Sequence, residues 1–112
     1  MKKTGVKTPS ATGLRRTARL LKVLGHPARL QILHFIEGSE ETVTAIQEHA
    51  ELTQAMTSQH LRILFEAGLI ERRREGTSIY YHVSRNLGEK LLPCLRDCRE
   101  LWMEHSVEPT EF

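Results

Sequence analysis

The spacing of apolar residues changes from a helical period to an alternating one near the middle of the chain, and this change constrains the fold more than any other feature. Before the change, a short helix capped by Thr42 or Thr44 is predicted to end at His49. After a tight link, Thr53 is a good N-cap for a longer helix that runs to Ala67. Two helices in close succession are therefore predicted here.

Gly68 is suited to the left-handed conformation that ends a helix, and the pattern beyond it is that of strands. Leu69–Glu75 and Ile79–Val83 are runs rich in strand-forming residues, and the segment Glu75–Ser78 with its glycine joins them. This arrangement is typical of a β-hairpin.

Three further helices complete the pattern. Apolar residues recur at helical spacing over Leu14–Leu24, and Pro27–Glu37 is apolar on most sides, which indicates a central position. A last helix is predicted over Leu87–His105, where Pro93 should kink it or shift its start. The predicted fold is mainly α with a small β-hairpin, in the order α-α-α-α-β-β-α, which is a winged helix-turn-helix.

The domain organisation follows from composition. Residues 1–12 are predicted to be a flexible basic arm, residues 13–108 one winged helix-turn-helix domain, and residues 109–112 a tail. No apolar run approaches the roughly 18 residues of a membrane span, and no secretion signal is recognised. With two cysteines and no disulfide framework, we expect a cytoplasmic protein with no membrane partner.

The net charge of +2 is mild, but the charges are segregated. Met1–Lys22 holds seven Lys or Arg and no acid, whereas Leu30–Leu61 holds five Glu and neither Lys nor Arg. Basic residues return at Arg62 and in the run 72–74. Such a distribution suits a protein with one side facing a polyanion, although charged faces that only meet solvent would also produce it.

The longer helix has one side without carboxylates. Met56, His60, Leu64 and Ala67 form its predicted core side, where His60 is expected to be a packed, hydrogen-bonded histidine. The polar side carries amide, hydroxyl and guanidinium groups that can bind base edges in the major groove. The predicted DNA contacts of this helix and its cap are Thr53, Gln54, Ala55, Thr57, Ser58, Gln59 and Arg62.

In the predicted hairpin, strand alternation places Arg72 and Arg74 on one side and Arg73 on the other. Arg74, Thr77 and Ser78 lie near its tip and are predicted to contact the DNA backbone or the minor groove.

From Leu21 to Ser84 the sequence resembles the ArsR/SmtB family of bacterial repressors. The ordered segments that carry the resemblance are Leu24–Leu33, Ser58–Ile70, Arg72–Gly76 and Ile79–Tyr81. The resemblance implies a homodimer built on the first and last helices, so residues 13–108 are expected to form the DNA-binding and dimerisation domain. It also implies binding to double-stranded operator DNA and release by an inducer.

The family's metal sites do not carry over. The stretch that matches its Cys-x-Cys site, Thr42–Ala50, holds no cysteine. The positions that match the site on the last helix are occupied by residues that include no histidine, namely Ser84, Asn86, Asp97 and Glu100.

Cys94 and Cys98 lie one turn apart on the apolar stripe of the last helix, the expected dimer seam. They can fill space as small hydrophobic residues. Alternatively they are a thiol sensor that is oxidised, reacts with sulfur species or binds a soft ion such as As(III), Cd or Zn, with His105 as a further candidate ligand. No cofactor is required by the first alternative.

An enzyme is not expected, because the sequence holds neither a phosphate-binding glycine loop nor a plausible nucleophile with its base. The sequence therefore predicts a dimeric, inducible, sequence-specific DNA-binding repressor. Two alternatives stay open, namely a winged helix that binds another protein and a DNA-binding repressor without a sensor.

Overall fold

The structure is a computed structural model that describes residues 8–97. This part of the chain forms five helices and three short strands. Their order is α1 (Ala11–Leu24), α2 (Pro27–Ile36), β1 (Glu41–Thr42), α3 (Val43–Ala50), α4 (Gln54–Glu66), β2 (Ile70–Glu75), β3 (Ser78–Val83) and α5 (Leu87–Arg96). The predicted winged helix-turn-helix order of helices and hairpin is confirmed, with one additional strand.

The core is built around α2, as its apolar composition predicts. Ile32, Leu33 and Ile36 of α2 are at most 1 % exposed. Side chains from α3, α4 and β2 close around them, and their burial supplies the main stabilisation of the domain. These surrounding core residues are Ile46, Leu61, Leu64 and Ile70.

The three strands form an antiparallel sheet in the order β1-β3-β2. In the hairpin, Ile70 pairs with Val83 and Glu75 with Ser78, so the turn is tighter than the sequence predicted. Strand β1 was not predicted. It is two residues long, which is too short to show an alternating pattern, and its partners Tyr80 and Tyr81 are distant in the sequence. Local sequence therefore does not indicate this strand.

The first helix begins earlier than expected. Ser10 is its N-cap, and the Ser10 hydroxyl accepts a hydrogen bond from the backbone N–H of Gly13 at 2.9 Å. The prediction of a flexible arm through residue 12 is therefore wrong at its boundary, because α1 starts at Ala11. Residues 1–7 lie outside the described part of the chain.

Ser84 joins the sheet to α5. The Ser84 hydroxyl donates to the carbonyl of Gly68 at 2.8 Å and accepts from the backbone N–H of Gly88 at 2.7 Å. Gly88 leaves no room for a side chain, since a Cβ there would collide with the Leu69 carbonyl and with Val83. The start of helix α5 is thus held directly against the end of α4 and the start of the hairpin.

Helix α5 continues through Pro93, and Leu92 packs into the core. The predictions for Cys98 and His105, and for a helix reaching residue 105, lie outside the described residues. Over residues 8–97, no helix combines the length and apolar character that a membrane span requires.

Candidate nucleic-acid interface

The link between α3 and α4 has the sharp turn of a helix-turn-helix. Helix α3 ends at Ala50. Its C-cap is Glu51, whose φ of 55° lies in the left-handed region and whose backbone N–H donates to the carbonyl of Gln47. Thr53 then caps α4, because its hydroxyl accepts from the N–H of Met56 at 3.1 Å. Thr53 is confirmed as an N-cap, and of the two candidate caps of α3 the structure has Thr42.

The buried side of α4 differs from the predicted one at two positions. Met56, assigned to the core, is 45 % exposed. Thr57, assigned to DNA, is fully buried, and its hydroxyl donates to the carbonyl of Thr53 at 2.9 Å. Because this backbone partner satisfies the hydroxyl, Thr57 packs inside the domain, and its prediction as a DNA contact is wrong.

The opposite side of α4 is exposed. We name it the reading face, and it consists of Gln54, Ala55, Ser58, Gln59 and Arg62. An acidic residue follows only at Glu66, the last residue of the helix. This face offers hydrogen-bond donors and acceptors, one guanidinium and one methyl group, which are the groups that distinguish base pairs in the major groove.

His60 anchors the buried side of α4 to the rest of the domain. Its Nδ1 accepts from Nε of Arg29 at 3.2 Å, and its ring meets that of His26 edge-on, with 4.6 Å between centroids. Burial, followed by the nearby His26 and Arg29, lowers the pKa of His60 below its usual value. The prediction of a packed, hydrogen-bonded histidine is confirmed.

The hairpin β2–β3, which we name the wing, separates its arginines as alternation predicts. The Cζ of Arg72 lies over the ring of Phe65 of α4, 4.4 Å from the ring centroid. Arg73 faces the other way and pairs with Glu40 at 2.9 Å and with Glu75 at 2.7 Å. Wing residues therefore contact either α4, which we call the reading helix, or the loop before β1.

The pair of Arg73 and Glu40 fastens the wing to this loop. Both Nε and Nη2 of Arg73 donate to the Glu40 carboxylate. The hydrogen bonds from Arg73 lower the pKa of Glu40 and, reciprocally, raise the pKa of Arg73. The Arg73 charge is thus largely satisfied within the protein, which leaves Arg74 and Thr77 as exposed groups near the tip, with Ser78 half-buried.

Sequence reasoning missed Phe65 and underused Arg72. Phe65 is 36 % exposed on the flank of α4 that faces the wing, and Arg72 covers it. The alternation of Arg72 with Ile70 places both on the α4 side of the hairpin, but the sequence alone does not reveal which helix residue lies opposite.

The candidate sensor is only partly described. Cys94 is exposed on α5, with its Sγ 4.0 Å from the carbonyl oxygen of Lys90. Within residues 8–97, no three His, Cys, Asp or Glu side chains are grouped so that they could hold a metal ion.

The fold and the reading face define a winged helix-turn-helix regulator of transcription. The family model that matches residues 26–72 is described as "Bacterial regulatory protein, arsR family". The chain belongs to this family, whose members are DNA-binding regulators rather than enzymes.

Two of the relatives are named as repressors. A biofilm growth-associated repressor of Agrobacterium fabrum is 35 % identical over 78 residues, which are 70 % of this chain and 67 % of that protein. A probable mercury resistance operon repressor of Streptomyces lividans is 39 % identical over 67 residues, or 60 % of this chain and 54 % of that protein. The chain thus spans about half of the latter's length.

Among solved structures, a homodimeric winged helix-turn-helix DNA-binding domain from Mycobacterium bovis matches with a TM-score of 0.74 and 30 % identity. That alignment covers 95 % of this chain and 98 % of the other. The homodimer is a property of the M. bovis domain.

Proposed function

We propose that this protein is a dimeric repressor that binds a specific operator, with α4 in the major groove and the wing tip on the neighbouring backbone or minor groove. The observation that carries the proposal is the reading face, because its five side chains are exposed and free of carboxylates while the opposite side of α4 is packed into the core. Membership of a family of DNA-binding regulators supports it.

A dimer through α1 and the last helix is supported by exposed apolar side chains. Leu14 and Leu21 of α1 are 56 % and 61 % exposed, and they lie two turns apart on one side of that helix. A second copy would remove this apolar surface from water. The homodimeric M. bovis domain provides a precedent for such an assembly.

Selection of bound sequences from a random DNA duplex pool tests the proposal. We expect a symmetric site with half-sites about 34 Å apart, and an affinity that falls steeply with salt as counterions are released. Recovery of no sequence, or salt-independent DNA binding, would favour the alternative of a winged helix that binds another protein.

We further propose that an inducer releases the operator and that Cys94 and Cys98 are where a thiol-directed inducer would act. Cys94 is exposed in the single chain and lies on α5, the described start of the last helix, which would contribute to the proposed dimer. A reaction of its thiol with an oxidant, a reactive sulfur species or a soft metal ion would therefore alter the packing of the two copies. The test compares operator release by wild type and by Cys94→Ser/Cys98→Ser under peroxide, As(III), Cd and Zn. Equal release by both proteins would leave the thiols as packing residues and favour a different inducer or none.

A further inference from the structure

A cleft of about 360 Å³ separates the reading helix from the wing. We name it the wing cleft. Its lining combines two arginines and a serine with apolar side chains, and it contains one carboxylate. The lining residues are Ser58, Leu61, Arg62, Phe65, Glu66, Arg72 and Tyr81. A concave site lined by guanidinium and hydroxyl groups is suited to an anion with several acceptor oxygens.

The ring of Phe65 in the wing cleft positions the Arg72 side chain. The Cζ of Arg72 lies over the Phe65 ring, 4.4 Å from its centroid, which is a cation–π contact. A contact of this kind needs none of the five N–H donors of the guanidinium, so they remain able to donate to an anion. In the described part of the chain Arg72 takes part in no ion pair, in contrast to the neighbouring Arg73 with its two carboxylates.

The position of the wing cleft indicates which anion it meets. In the proposed complex α4 lies in a major groove and the tip of the wing reaches the next groove. The sugar–phosphate strand that separates two grooves must then pass between α4 and β2, where the wing cleft lies.

We propose that the wing cleft binds one backbone phosphate of the operator, with Arg72 and the hydroxyl of Ser58 as donors and Phe65 as the positioning residue for Arg72. This inference rests on the proposed function. Phosphate contacts fix the register of a protein on the duplex without reading sequence, so this contact would orient the reading face. Glu66, the carboxylate at the cleft, opposes anion binding and weakens the contact.

Single-phosphate neutralisation tests this site. Methylphosphonate is placed at one phosphate at a time in the selected operator, and affinity is measured for wild type and for Arg72→Ala. We expect one position per half-site at which neutralisation weakens wild-type binding about tenfold, the size of one charge-assisted hydrogen-bonding contact. At that position neutralisation should have almost no further effect on Arg72→Ala, and the salt slope of this variant should be smaller by about 1.

Two further variants separate charge from position. Phe65→Leu keeps an apolar side chain and every charge, so we expect a loss of a few-fold in affinity with an unchanged salt slope, and Phe65→Tyr should restore affinity. Arg73→Ala is the matched control, because it removes an arginine of the same strand whose charge is already paired, and it should preserve the response to the neutralised phosphate.

The outcomes also separate this inference from the proposed function. If wild type binds its operator and Arg72→Ala retains both the full affinity and the full response to every neutralised phosphate, the phosphate site is wrong while the repressor function stands. If wild type selects no DNA, the proposed function fails and the cleft loses its ligand with it.

Discussion

Arg29 of α2 donates its Nε–H to Nδ1 of His60 at 3.2 Å, and its Nη1 donates to the carbonyl of Val23 at 3.1 Å. One side chain thereby connects the end of α1, the start of α2 and the buried side of the reading helix. Since Nδ1 acts as an acceptor, the His60 imidazole in this arrangement is neutral. Protonation of Nδ1 would remove this acceptor, so the link between α2 and α4 requires the neutral form of His60.

The first prediction concerns stability and pH. Burial, His26 and Arg29 all lower the pKa of His60, so the unfolded chain binds a proton at higher pH than the folded domain does. The free energy of unfolding therefore rises with pH in this range. The contribution of neutral His60 to the free energy of unfolding is fully retained above the ordinary histidine pKa of 6.5. It is lost as the pH falls through the lowered pKa of His60 in the folded domain. Urea unfolding at several pH values between 7.5 and 5.5 measures this dependence.

His60→Asn isolates the contribution of this histidine, because an amide oxygen can accept from Arg29 but does not titrate. Its stability should change less between pH 7.5 and 5.5 than that of wild type. Gln31→Ala, at an exposed glutamine of α2, removes no titratable group, serves as the control and should retain the wild-type dependence. Parallel curves for wild type and His60→Asn would contradict the prediction.

The features that local sequence determines were predicted well. Thr53 as an N-cap and Gly68, with a φ of 80°, as the left-handed residue after α4 depend only on their immediate neighbours. Strand β1 was missed because its pairing is with a distant strand. The periodic pattern also gave the approximate outward direction of α4, which is why the five side chains of the reading face were correctly predicted to point away from the core.

The errors at Met56 and Thr57 have a different cause. A helical pattern fixes the direction of the buried side only to within about one residue. Met56 was assigned to the core in place of its neighbour Thr57 because methionine is the more hydrophobic of the two. Thr57 is buried nevertheless, since the carbonyl of Thr53 satisfies its hydroxyl. In the same way, Phe65 lies near the surface with its ring covered by Arg72. This contact joins a helix and a strand, so no local sequence pattern reveals it.

The second prediction concerns sequence preference. Gln59→Ala and Arg62→Ala each remove a side chain that can form paired hydrogen bonds with a base edge, and each should cost about 1–3 kcal/mol of binding free energy. The cost should fall on particular base pairs, so the selected sequence becomes less restricted there. Selection from the random pool with each variant measures this effect, and Gln31→Ala, at an exposed glutamine of α2, is the control. An unchanged base preference for Gln59→Ala would show that α4 is oriented differently on the DNA.

The third prediction concerns the wing tip. Arg74 is exposed and is expected to contact a phosphate, so Arg74→Ala should weaken binding to all sequences alike and reduce the salt slope by about 1. Arg74→Lys retains the charge and should retain the slope. Titrations at several salt concentrations, with the selected operator and with unrelated duplex, measure both quantities. A loss confined to the selected operator would instead assign Arg74 to base recognition.

The fourth prediction concerns the junction at Ser84. Ser84→Ala leaves the buried N–H of Gly88 and the carbonyl of Gly68 without this partner, which should lower the free energy of unfolding by about 2–4 kcal/mol. Ser39→Ala, which removes an exposed serine hydroxyl, should change it by less than about 0.5 kcal/mol. Urea unfolding at pH 7.5 compares the two variants with wild type. Equal stability of Ser84→Ala and wild type would show that the hydroxyl does not hold α5 to the sheet.

The last prediction concerns assembly. If the exposed Leu14 and Leu21 lie in a dimer interface, Leu14→Glu/Leu21→Glu would bury two carboxylates of each protomer in that interface. The double variant should therefore sediment as a monomer. Thr12→Glu adds a charge at an exposed position on the other side of α1 and should remain dimeric. The monomer should keep its helical circular dichroism, because neither leucine belongs to the core. It should also bind a full operator far more weakly than wild type, while affinity for an isolated half-site changes little, since two linked reading helices gain from a raised effective concentration. A double variant that stays dimeric would place the interface elsewhere and remove α1 from the proposed assembly.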